Sequence, residues 1–130
     1  MEEEYIELGT IDTKQLKKYY SIKTNKLIIT KERIEHINKR HNGDYNLYGK
    51  YILQIVNEPD YILQDVDNIN TVLYLKKIEE LNLQVIIKLQ TENKKDKSNT
   101  IITFWHMRKR SYEQIIRKNK IIFEKLDKNE

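Results

Sequence analysis

Residues 61–107 read YILQDVDNINTVLYLKKIEELNLQVIIKLQTENKKDKSNTIITFWHM, and this stretch decides the fold. Four segments in it, YILQDV (61–66), TVLYLKKIEE (71–80), LQVIIKLQTE (83–92) and NTIITFWHM (99–107), are rich in β-branched and aromatic residues. Such side chains fit a pleated, half-buried surface, so each segment is expected to be a strand. The connections are Asp67-Asn68-Ile69-Asn70, then Leu81-Asn82, then the polar run NKKDKSN (93–99). Links this short join antiparallel neighbours. Beyond Met107 a basic stretch, RKRSYEQIIRKN, predicts a helical turn around Tyr112 to Arg117, and KIIFEKL predicts a last strand.

Before residue 61 the pattern is helical. Asp12-Thr13 ahead of KQLKKYY reads as a capped short helix with Leu16, Tyr19 and Tyr20 inward. LIIT (27–30) is a short extended segment. Thr30 is placed to cap the helix KERIEHINKR, which stops at Asn42-Gly43. A second helix is expected over 47–57 with Leu47, Tyr51, Ile52, Ile55 and Val56 as its apolar stripe, ended by Glu58-Pro59-Asp60. The expected class is therefore α+β: N-terminal helices packed on a central antiparallel sheet of four to five strands, in one domain spanning 1–130.

At 130 residues the chain is long enough to bury a core without covalent staples. It contains no cysteine, which excludes disulfides, thiolate metal sites and a cysteine nucleophile. No apolar run reaches the roughly 18 residues of a membrane span. The start, MEEEYIELG, has neither the basic nor the apolar region of a signal peptide, so export would depend on a larger carrier. The net charge of +4 is modest, but the bases gather at 14–26, 31–40 and 94–120. Interleaved with aromatics, the last of these suits a polyanion such as RNA.

Two of the three histidines lie in RIEHINKRH. On a helix, Arg33, His36 and Arg40 fall within about 60° of one another, whereas His41 falls near Ile34 and Ile37, on the inward face. A spacing of five does not suit a two-histidine metal site, so no metal is expected. A histidine beside an arginine does suit cleavage of RNA by its own 2′-hydroxyl. Imidazole moves a proton near neutral pH, and guanidinium stabilises the phosphorane charge. Whether His36 or His41 carries the proton stays open. Along the late strand, alternation puts Thr103 and Trp105 on one face with Ile101 and Met107, and Ile102, Phe104 and His106 on the other. A hydroxyl, an indole and the Arg108-Lys109-Arg110 run offer a phosphate donor, a stacking platform and backbone neutralisation. Trp105, Lys109, Arg110 and Tyr112 are the expected substrate-binding residues. The same surface also fits a module that binds nucleic acid without cutting it.

The segments LIITKERIEHINKRH, ILQIVNEPDYIL, NTVLYLKKI, VIIKLQ, NTIITFW and RKNKIIFEK together resemble the barnase, EndoU, colicin and RelE grouping of nucleases. The resemblance spans about residues 9–125 and is to the phage-encoded and polymorphic-toxin members, including contact-dependent growth-inhibition toxin domains. It implies a small α+β ribonuclease toxin that needs no metal or cofactor and has transfer RNA as substrate. By resemblance, the catalytic positions are His36, Arg40, His41 and Thr103; the unusually basic stretch after Trp105 departs from the family's pattern, so that Lys109 or Arg110 could substitute for one histidine. It further implies a monomer that arrives on a carrier protein or a phage, acts in the target-cell cytoplasm and is held in check by an acidic immunity protein. The Asn57-Glu58-Pro59-Asp60 bend is expected to be structural.

Overall fold

The computed structural model describes residues 4–93 and 97–126. Lys94, Lys95 and Asp96, which belong to the expected third connection and open the last basic run, lie outside the described residues, as do Glu2 and Glu3. In chain order the elements are β1 (Tyr5–Thr10), β2 (Lys26–Thr30), α1 (Lys31–Arg40), α2 (Asp44–Tyr48), a 3-10 turn (Gly49–Tyr51), α3 (Ile52–Asn57), β3 (Tyr61–Gln64), β4 (Thr71–Ile78), β5 (Leu81–Lys88), β6 (Asn99–Met107), α4 (Lys109–Lys118) and β7 (Lys120–Glu124).

The expected four to five strands give way to a seven-stranded sheet in the order β1-β2-β6-β5-β4-β3-β7. All pairings are antiparallel except β2 with β6, which is parallel and short: Leu27 faces Asn99 and Ile28 faces Thr100. The Asn99 side chain holds that junction. Its amide donates to the carbonyls of Thr24 and Lys26, and its oxygen accepts from the Gln90 N–H. A fully buried asparagine satisfied on both sides in this way stabilises the parallel junction of the sheet.

Nor do helices come first. β1 and β2 open the fold, and residues 14–19 form hydrogen-bonded turns rather than a helix, anchored by the fully buried Leu16. β1 escapes a sequence reading because YIELGT sits at the sheet edge with its side chains mostly exposed, so no apolar face marks it. A bulge between Glu7 and Gly9 shifts its register against β2. Gly9 has φ of +142° and lies so close to Leu53 that an added Cβ would sit 3.2 Å from its Cδ2. Any other residue there would be strained.

The second expected helix is broken by the 3-10 turn at Gly49–Tyr51. Three residues at three per turn rotate the following face by about 60° relative to a continuous α-helix. Ile52, Ile55 and Val56 are therefore buried while Leu47 is 57% exposed. Tyr74, Val85 and Phe104 belong to the core under α1 and α3, whereas the alternate residues Leu73 and Leu75 belong to a second core with Tyr112, Ile115 and Ile116 of α4. So α1 and α3 cover one face of the sheet and α4 the other. The Asn-Glu-Pro-Asp bend locks the β3 start: the Asp60 carboxylate accepts the Lys77 N–H and pairs with the Lys76 ammonium, which also donates to the Glu58 carbonyl.

Candidate active site

α1 begins as read. The Thr30 hydroxyl accepts the Arg33 N–H at 3.1 Å, and Ile37 is its one fully buried side chain. It ends with His41 as C-cap, after which Asn42 (φ 52°) and Gly43 (φ 81°) take left-handed conformations and turn the chain sharply. Asn38 clamps the turn, accepting the Asn46 N–H and donating to the Asn46 side chain. These contacts deliver residues 40–48 to one place.

That place is the outer edge of β6. β2 pairs only with the start of β6, so its later residues lack a neighbour on that side. The helix ends fill the gap. The Asp44 carboxylate accepts the backbone N–H of His106 at 2.9 Å, standing in for the missing strand. Tyr48 meets the His106 ring edge-on at 5.8 Å. The His41 ring lies 4.4 Å from the Trp105 ring, tilted by 50°. The indole N–H of Trp105 in turn donates to Oε1 of Gln84, its register partner on β5.

The structure thus brings His41 and Trp105 into contact. Arg40 and His36, both exposed on α1, are close enough to act on His41 electrostatically. Its imidazole is held below the ordinary 6.5, first by burial and then by Arg40 and His36, with Asp44 opposing them. Thr103 is half-buried, two residues before Trp105. Its relation to Ile101 differs from simple alternation. Ile86 pairs with Thr103 and Ile87 with Ile101, so Ile102 is bulged and Ile101 joins Phe104 in the core under α1 and α3. Lys109 and Arg110 are exposed in the first turn of α4, directly after the strand that carries Trp105. Tyr112 differs from them: it is 8% exposed, packed with Leu63, Leu73 and Leu75, and its hydroxyl is buried without a partner among the described residues.

Gln84, Asp44, Tyr48 and His106 did not stand out in the sequence. Gln84 carried one signal, a polar side chain at an inward position of LQVII; the other three become neighbours only through the turn at 41–44 and the edge of β6. Among the described residues, no three His, Asp or Glu side chains gather in a group fit to hold a metal ion.

An imidazole held below its ordinary range beside a guanidinium, against a strand that leads into a basic helix, is suited to moving a proton at a phosphodiester. The family model described as phage-Barnase-EndoU-ColicinE5/D-RelE like nuclease2 (PBECR2) matches residues 4–124. The chain belongs to this nuclease family. That span runs from the residue before β1 to the last residue of β7, so the edge strand missed by pattern reading is part of the family's domain. No curated protein and no solved structure matches the chain.

Proposed function

We propose that this PBECR2 domain is an endoribonuclease that makes the substrate's own 2′-hydroxyl the nucleophile. His41 takes the 2′-hydroxyl proton, the 2′-oxygen attacks phosphorus, and the bond from phosphorus to the 5′-oxygen breaks. The Arg40 guanidinium balances the charge gathered on the phosphorane. His36, one turn back on the exposed side, supplies the proton to the departing 5′-oxygen, and the products end in a 2′,3′-cyclic phosphate and a 5′-hydroxyl. Thr103 offers its hydroxyl to a phosphate oxygen, and Lys109 and Arg110 hold the backbone on either side of the break. No step in this sequence is assigned to a metal ion.

The observation that carries this reading is the state of His41: half-buried against Trp105, beside Arg40, and held below 6.5 so that it is neutral and able to accept a proton at pH 7. The test is incubation of RNA with the whole chain in excess chelator, alongside the same RNA carrying a single 2′-deoxy nucleotide at the cut site. Cleavage in chelator with a cyclic phosphate end is expected, as is protection of the deoxy site. Cleavage of the deoxy site, or activity that needs a divalent ion, refutes the mechanism. Binding without any cleavage would identify a nucleic-acid-binding module instead.

Transfer RNA is the proposed substrate, and a larger carrier or a phage the proposed route to the target-cell cytoplasm. An acidic inhibitor is the proposed partner, since carboxylates opposite Lys109 and Arg110 would associate fast and block the approach of RNA. Harmless expression of the wild-type chain in bacteria without such a partner would refute the toxin role.

A further inference from the structure

Trp105 has one obvious use in a ribonuclease, as a surface on which a base stacks. Its surroundings give it another. One side of the indole is taken by His41, 4.4 Å away centre to centre. The indole is also held at its far end, where its N–H donates to Oε1 of Gln84. An indole N–H can only donate, so the amide oxygen must face it and the amide cannot flip. Gln84 is 1% exposed, and its Nε2 has no hydrogen-bond partner among the described residues. An unpaired amide donor in a core is costly, but an apolar side chain of the same size would leave the Trp105 N–H without its acceptor instead. What the glutamine does at this position is fix the indole.

His41 is also held through its own backbone. Its carbonyl accepts the Asp44 N–H at 3.0 Å, while the Asp44 carboxylate is tied to the His106 backbone. The ring thus reaches from a fixed turn onto a fixed indole. The charged and titratable groups that act on it are Asp44, Arg40 and His36.

We infer that Gln84 is a positioning residue for catalysis: through the Trp105 indole it fixes the place and the partial dehydration of the His41 imidazole, so that Trp105 backs the proton-carrying histidine rather than stacking a base. The chain of contact runs from the centre of β5 across to β6 and out to the end of α1. It rests on His41 being the proton acceptor proposed above. Preorganising an acid–base group from behind leaves its reactive edge free for substrate.

Two variants break the same hydrogen bond from opposite ends: Gln84→Met, which keeps bulk, and Trp105→Phe, which keeps an aromatic ring. Each is to be compared with the double variant and the wild type. One readout is the NMR titration of the His41 ring proton in the resting protein, assigned by its absence in His41→Gln. The other is kcat and KM on RNA. Each single variant is expected to raise the His41 midpoint by about half a pH unit as water reaches the ring. Each should lower kcat by roughly tenfold with KM nearly unchanged, since small misplacement of a reacting group is felt in rate. The double variant should be no worse than either single one, because both cut one link. A His41 midpoint unmoved in both variants overturns the inference, even if their melting temperatures fall. So does a rise in KM with kcat intact, the mark of a lost stacking platform. The titration needs no substrate, so it decides the positioning even if the wild type cuts no RNA, a result that would sink the nuclease reading alone.

Discussion

Replacing His41 by glutamine removes the proposed proton acceptor and keeps a polar side chain of similar reach. The cost to folding follows from the contacts. His41 buries no deep surface; its main packing partner is Trp105, and aromatic pairs of this kind contribute about 0.5–1.5 kcal/mol beyond their area. The cap function is carried by backbone groups, the His41 N–H to the Ile37 carbonyl and the Asp44 N–H to the His41 carbonyl, and survives the change. A loss of about 1 kcal/mol lowers the melting temperature of a domain this size by roughly 4 °C, so the variant stays folded at assay temperature. Activity should instead fall by about a hundredfold or more, the scale of a lost general base. His36→Ala, on the exposed side, should change stability by no more than about 0.5 kcal/mol and also lower the rate, by less than His41→Gln if it acts only on the leaving oxygen. The assay is single-turnover cleavage of labelled RNA with melting curves run alongside. His41→Gln cleaving within threefold of wild type refutes the assignment, and full activity in both histidine variants refutes the mechanism.

The rate should rise with pH on an acid limb whose midpoint lies below 6.5, because burial holds His41 down, and kcat measured from pH 4.5 to 8 checks this. The same shift predicts a stability term. The folded state holds the His41 proton less tightly than the unfolded chain, so the term is present above 6.5 and is lost as pH falls through the lower folded value; His41→Gln should flatten that part of a plot of melting temperature against pH. Lys109 and Arg110 are both exposed, so replacing both with alanine should leave melting within about 0.5 kcal/mol of wild type. It should reduce the slope of log affinity against log salt by about two, and an unchanged slope would remove them from the RNA surface. Gly9→Ala should destabilise by about 1–3 kcal/mol, from a left-handed φ and a Cβ pressed on Leu53, with kcat of the folded fraction unaltered; a melting temperature equal to wild type would refute the strain argument.

Local chemistry alone determined much of this molecule. The Thr30 cap, the stop at Asn42-Gly43, the break at Pro59 and the four central strands are each set by neighbours a few residues apart, and β6 spans Asn99–Met107 as its composition indicated. The inward turn of His41 relative to His36 also follows from helical period, and it matches their half-buried and exposed states. Tertiary structure decided the rest. β1 has no apolar face of its own and exists because β2 offers it hydrogen-bond partners. The parallel meeting of β2 with β6 joins segments far apart in the chain, for which no local pattern exists. The bulge at Ile102 reverses the side on which Ile101 lies, because one unpaired residue shifts a period of two. Above all, His41 meets Trp105, and Trp105 meets Gln84, only because the turn after α1 plugs an open strand edge. Residue types announced an imidazole, an arginine and an indole; which of them touch depends on the packing of elements whose sequences carry no mark of one another.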